Sequence, residues 1–175
     1  MEHARIEEAA ALFVEARQSG VRLRELPQTC RPQTVRDTNA IIREVTRRLG
    51  KPIGGWKITF FFRPREVPII APMFSENLFP SPACVPPSVT HSLLIEPEIA
   101  FHVLHDLSAR AAPYRPEEVA AALMACPALE LNDTRFDTSH RTIRQILDNR
   151  ATVLEAHADH QTSGAFVVGE PRADW

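Results

Sequence analysis

Glu96 and Glu98 sit one residue apart in Leu93-Leu94-Ile95-Glu96-Pro97-Glu98-Ile99-Ala100-Phe101, an otherwise apolar, strand-like run. Alternation along a strand projects both carboxylates onto one face. Two like charges side by side are costly unless something positive lies between them. A divalent cation meets that need, and oxygen-only ligands favour Mg²⁺, Mn²⁺ or Ca²⁺ over zinc. A third carboxylate of the same kind is Glu130, alone in the apolar run Pro127-Ala128-Leu129-Glu130-Leu131-Asn132-Asp133. Lys57 lies between Trp56 and Ile58 in a β-like segment, so it can face a polar cavity while they pack, and there hold or deliver a proton. The plain alternatives are an edge-strand pair of glutamates and a surface lysine.

His157-Ala158-Asp159-His160 mimics a metal-site spacing. Read as a strand, however, it puts His157 and Asp159 on one face and His160 on the other, which rules against one compact tridentate site. Asp159 and His160 are expected to hydrogen-bond behind the metal or to shape a turn. Cys30, Cys84 and Cys126 have no zinc-like spacing and read as reduced thiols, with Cys126 a small buried hydrophobe.

These side chains need elements to hold them. Apolar spacing predicts one helix over residues 2–19, ended by Gly20, and a second over about 34–49, opened by Thr34 or Gln33 and closed by Gly50. Neither opening gives a complete capping box. From Pro52 the texture is β-rich, and the proline-dense stretch 64–87 reads as loop with short strands. Strands are expected over 93–104 and 126–132, a helix from Arg115 to Leu123, a short helix near 139–148 and β-like structure over 151–168. The predicted class is α+β, with an N-terminal helical part over 1–50 and a β-rich catalytic part over 51–175.

With 175 residues, 44% hydrophobic, the chain can bury the core of one domain. A formal charge of −2 gives no reason to expect nucleic acid or an anionic membrane as partner. No stretch reaches the roughly 20 apolar residues of a membrane span, the N-terminus does not read as a signal peptide, and the expected location is the cytoplasm. Phosphate-loop and dinucleotide motifs are lacking.

Four segments in order resemble the 2-keto-4-pentenoate hydratase branch of the fumarylacetoacetate hydrolase superfamily. They are Gly55-Trp56-Lys57-Ile58, Ile95 to Phe101, Pro127-Ala128-Leu129-Glu130 with Asp133-Thr134-Arg135-Phe136, and Ala158 to Ala165. The resemblance implies N-terminal helices followed by a mainly antiparallel β-roll. It also implies Mg²⁺ or Mn²⁺ held by Glu96, Glu98 and Glu130, Lys57 as a catalytic lysine, and Ser163 close to the substrate carboxylate; a turn serine before Gly164 is the alternative. Glu76, in Phe74-Ser75-Glu76-Asn77, stands where the family carries a more acidic segment and is the remaining catalytic carboxylate. Arg135 pairs with a carboxylate of substrate or of protein. Thr59-Phe60-Phe61-Phe62 is more aromatic than the family pattern and is expected to be core.

The implied activity is metal-dependent hydration of a 2-hydroxy-2,4-dienoate or 2-oxo-4-enoate in aromatic meta-cleavage catabolism. Decarboxylation of a 4-oxalocrotonate-like acid would use the same electron sink. Family members continue past the segment matching Gly164 to Trp175, so the sheet is expected to be incomplete, with exposed apolar surface. A non-catalytic partner of a true hydratase or decarboxylase is the rival from another class. The expected partners are a small 2-oxo acid and either further copies of the chain or a related decarboxylase.

Overall fold

The computed structural model describes residues 1–60, 67–91, 94–138 and 150–174. Helix α1 spans His3–Ser19 and α2 spans Val35–Leu49. Along α1 the spacing of Ala9, Ala10, Phe13 and Ala16 makes one buried stripe, as a 3.6-residue period requires. Gly20 ends the helix in the left-handed conformation, φ 74°, with its N–H on Ala16 O at 3.1 Å. The start of α2 corrects the sequence reading, because its capping box is complete. Thr34 Oγ1 accepts from Asp37 N–H at 3.1 Å, and the Asp37 carboxylate accepts from Thr34 N–H at 3.0 Å. Aspartate does here what Glu or Gln does in the usual pattern.

Two sheets follow. Strand β1, Ile53–Thr59, pairs antiparallel with β2, Ile69–Phe74, as a separate two-stranded sheet. The larger sheet has the order β3-β6-β5-β4, with β3 Leu78–Pro80, β4 Ile95–Val103, β5 Leu123–Asn132 and β6 Ser163–Val168. Its pairings are antiparallel except for β3 beside β6. A short helix α3, Pro116–Ala120, precedes β5, and helix α4, Arg150–Ala158, precedes β6.

Helix α4 overturns the β-like reading of 151–158. Leu154 and Ala158, one helical turn apart, are both buried, and the Ala and Glu residues between them are good helix formers. The helix expected near 139–148 lies outside the described residues. Ala158 joins the core of α1 and α2, with Phe13, Leu26, Cys30, Ile41 and Val45. A second cluster, Val35, Ile42, Ile69, Ala71 and Leu154, ties α2 and α4 to β2.

Both sheets leave an apolar face bare. On β1, Trp56 is 55% exposed, and Ile58 and Phe60 are exposed with it. The sequence reading had Trp56 and Ile58 packing and Phe60 in the core; alternation instead turns Lys57 and Thr59 inward and these three outward. Phe61 and Phe62 lie outside the described residues. On the larger sheet Ile95, Ile99, Phe101, Val103 and Leu129 are exposed, Ile99 to 72%. Among the described residues β4 is an edge strand.

Candidate metal centre

Register brings the carboxylates together. Glu96 is the cross-strand partner of Glu130, and Glu98 lies two residues further along β4 opposite Ala128, so all three side chains share one face of the sheet. One carboxylate oxygen from each of Glu96, Glu98 and Glu130 lies within 4.8 Å of the other two. Glu130 is fully buried, Glu96 half-buried and Glu98 exposed. The strand-face inference holds, but its supporting premise does not. Apolar neighbours such as Ile95 and Ile99 occupy the opposite, solvent-facing side.

Lys57 reaches this group from the other sheet. Its Nζ donates to Glu130 Oε2, so one ammonium pairs with the buried member of the three carboxylates. Glu130 Oε1 is buried and without a partner among the described residues. Burial pushes the Glu130 carboxyl up to about 7; Lys57 works against that shift, and Glu96 and Glu98 add to it. The donor set fits a hard divalent cation. Mg–O bonds of about 2.1 Å separate two ligand oxygens by at most about 4.2 Å, and Ca–O bonds of about 2.4 Å by at most about 4.8 Å. A spread of no more than 4.8 Å is within the limit for calcium and needs at most a small contraction for magnesium.

His157, on α4, is close enough to Lys57 to feel its charge. Burial first, and Lys57 second, lower its pKa to about 4, so the imidazole is neutral at physiological pH. Sequence reasoning missed this neighbour because it read α4 as a strand.

The other residues singled out in the sequence lie elsewhere. Glu76, in a turn over Ser75–Asn77, pairs with Lys51 at 2.5 Å on the surface. Arg135 is buried, its Nε on Asp159 Oδ1 at 2.6 Å and its Nη2 on the carbonyls of Asp133, Asp159 and Ser163. Of the two carboxylates left open for it, the structure supplies the protein's own. Asp159 is completely buried. It also accepts from the Arg135 backbone N–H, Thr134 Oγ1 and Arg17 Nη2. It therefore belongs to a polar core, not to a shell behind the three glutamates. Ser163 opens β6, pairs with Asn132 and offers its carbonyl to Arg135. The next residue, Gly164, permits the close approach of β6 to β5, since a Cβ there would fall 2.6 Å from Leu131 O.

No family model matches the chain. In sequence it is 29% identical over 172 residues to the 2-keto-4-pentenoate hydratase of Paraburkholderia xenovorans (strain LB400), and equally so to 2-keto-4-pentenoate hydratase 3 of Pseudomonas putida. Each match covers 93% of this chain, and the chain spans 60% of the length of these curated relatives. In structure it superposes on 4-oxalocrotonate decarboxylase from Pseudomonas putida G7. The TM-score is 0.66 against the complex with calcium and acetate and 0.68 against the complex with magnesium and adipate. Both are 18% identical and cover 97% of this chain, against 63% and 64% of theirs. The fold is thus the α+β fold of that decarboxylase, of the fumarylacetoacetate hydrolase type. The sequence resemblance to 2-keto-4-pentenoate hydratases extends from four short segments to most of the chain.

Proposed function

We propose that the chain carries the metal and proton-transfer centre of an enzyme acting on a small 2-oxo acid. The reading we favour is a hydratase of a 2-hydroxy-2,4-dienoate or 2-oxo-4-enoate. The observation that carries it is the convergence of Glu96, Glu98 and Glu130 oxygens within 4.8 Å, with Lys57 on Glu130. The structural neighbours support a divalent cation, since one is a complex with calcium and the other with magnesium.

Glu96, Glu98 and Glu130 would hold Mg²⁺ or Mn²⁺, and a cation there supplies a Lewis acid for the carboxylate and keto oxygens of the substrate. Lys57 Nζ, kept at the rim by Glu130 Oε2, holds the proton to be exchanged with the substrate carbon frame. Ser163 Oγ has no partner among the described residues and is assigned to the substrate carboxylate. Glu76 is the second acidic group only if its pairing with Lys51 opens. The chain would work in the cytoplasm, as an oligomer or with a related decarboxylase; the bare apolar faces support a protein contact, because contiguous surface of that kind marks such sites.

Decarboxylation of a 4-oxalocrotonate-like acid is the second reading, favoured by the name of the structural neighbour. Measuring CO₂ release beside water addition separates the two. Glu98→Gln is expected to lower Mg²⁺-dependent turnover of 2-hydroxypentadienoate by at least about 100-fold, in line with the loss of a charge-stabilising group. Turnover unchanged by that substitution would sink the assignment. A folded protein that takes up no Mn²⁺ in a calorimetric titration would instead favour a non-catalytic partner.

A further inference from the structure

Lys57 and Glu130 stand on different sheets, and no ladder of backbone hydrogen bonds joins β1 to β5 among the described residues. Something else must set their separation. The Gln161 side chain, in the turn that leads into β6 of the larger sheet, reaches across to the β1–β2 hairpin. Its Nε2 donates to Lys57 O at 3.1 Å and to Ile69 O at 3.2 Å, and its Oε1 accepts from Thr59 Oγ1 at 2.5 Å. Lys57 and Thr59 belong to β1 and Ile69 to β2, with Thr59 and Ile69 in register. A single amide therefore grips both strands of the hairpin beside the lysine. It does so from a fully enclosed position, with Gln161 2% exposed.

The backbone beneath it is strained. His160, Gln161 and Thr162 have φ of 50°, 55° and 56°, three successive left-handed residues with no glycine among them. Each costs about 1–2 kcal/mol relative to the right-handed form, and such a turn persists only where its surroundings over-determine it. They do so here. Thr162 Oγ1 bonds Asn132 Oδ1 at 3.0 Å, Asp133 N–H donates to Thr162 O at 2.8 Å, and His160 Nε2 meets Thr46 Oγ1 at 3.2 Å. Asn132 and Asp133 follow directly on the β5 segment that bears Glu130. The turn is fixed to the glutamate's strand at one end, and its Gln161 amide is fixed to the lysine's strand at the other.

We propose that Gln161 is a positioning residue: its amide sets where Lys57 Nζ stands relative to Glu130. The catalytic meaning of this rests on the function proposed above, but the geometry does not. The chain has two lysines, Lys51 and Lys57, so labelling with an amine-reactive ester, read by mass spectrometry, compares Lys57 with an exposed internal control. In Gln161→Leu the labelling rate of Lys57 relative to Lys51 is expected to rise several-fold, with Mn²⁺ affinity within twofold of wild type. Where turnover is measurable, kcat falls about tenfold at nearly constant KM.

Unchanged Lys57 labelling in the folded variant would overturn the proposal, whatever the turnover. A parallel loss of Mn²⁺ affinity would also overturn it, because that marks general loosening. If Gln161→Leu does not fold, Gln161→Asn (tolerant of the left-handed backbone but too short to span the gap) and Thr59→Val decide by the same labelling ratio. Wild-type protein that turns over neither substrate would refute the function proposed above and leave the labelling result standing.

Discussion

Two clusters of charge, one around Asp159 and one around Glu130, are built on opposite plans. Around Asp159, two guanidiniums, a hydroxyl and a backbone N–H converge on one carboxylate, and both of its oxygens are bonded. Around Glu130, three carboxylates converge, one of them bonded to an ammonium, and a buried oxygen has no partner among the described residues. The first arrangement satisfies its anion, although Arg17 Nε is buried without a partner among the described residues. The second carries surplus negative charge, which raises the free energy of the folded chain until a cation enters. A cluster that is stable alone reads as architecture; a cluster that needs an addition reads as a binding site.

Removing the central carboxylate should separate them most sharply. Asp159→Ala takes the bonded anion from buried Arg135 and Arg17, leaving Arg135 only Asp133 Oδ2 at 3.7 Å, and is expected to cost about 3–5 kcal/mol, the usual penalty for breaking a buried pair. Urea denaturation would measure it. The corresponding change in the other cluster, Glu98→Gln, removes one of three repelling charges and should leave the metal-free protein as stable or more so. Equal losses in the two variants would break the comparison.

Proton linkage gives the next largest effect. His157 titrates at about 4 in the fold against an ordinary 6.5, and burial lowers His160 as well. Between those values the unfolded chain binds more protons, so stability is full above pH 6.5 and is lost as pH falls toward 4. For His157 the loss reaches about 3 kcal/mol, at 1.36 kcal/mol per pKa unit. Glu130 has the opposite sign. Its pKa is raised from 4.5 to about 7, so the folded chain binds more protons in that window and gains stability as pH falls. Metal-free wild type should therefore lose stability less steeply between pH 7 and 4.5 than Glu130→Gln, in which nothing offsets the two histidines. Coincident profiles would show that burial does not raise the Glu130 carboxyl in the fold.

Cation binding comes third. At a Mn²⁺ concentration about 100 times Kd, linkage stabilises the folded chain by about 2.7 kcal/mol, read as a rise in melting temperature. The increment should vanish in Glu130→Gln and in Glu98→Gln. It should survive in Lys57→Met, which removes the competing ammonium without removing a ligand oxygen.

Much of the acidic cluster was legible in the chain because its logic is local. One-residue spacing places Glu96 and Glu98 on a common face, and a lone glutamate in an apolar run draws the eye to Glu130. The two helices were legible for the same reason, through their apolar spacing and closing glycines. The polar core was not legible. Arg17, Arg135 and Asp159 come from three distant parts of the chain, and no spacing rule links them. The structure accordingly gives Arg135 to Asp159, where the sequence left substrate or protein open. Helix α4 was misread because its burial is set by packing on α1 and α2, not by its own pattern. The Gln161 turn left little signal either, since of its three left-handed residues only His160 is of a type enriched in that conformation.

The smallest test bears on how completely the Asp159 cluster is satisfied. Thr134 Oγ1 donates to Asp159 Oδ2 at 3.0 Å and accepts from Phe136 N–H at 3.2 Å, so one hydroxyl serves both a buried anion and a backbone donor. Thr134→Val keeps the shape and removes both bonds, which should cost about 1–2 kcal/mol, because hydrogen bonds to charged groups exceed the neutral average and the N–H is left without its acceptor. Glu96→Gln, a change of similar size in the other cluster, removes charge repulsion across β4 and β5 and should cost nothing in the metal-free protein. It would weaken Mn²⁺ binding instead. Were Thr134→Val neutral and Glu96→Gln destabilising without metal, the two clusters would have exchanged roles, and the surplus charge around Glu130 could no longer be read as a place prepared for a cation.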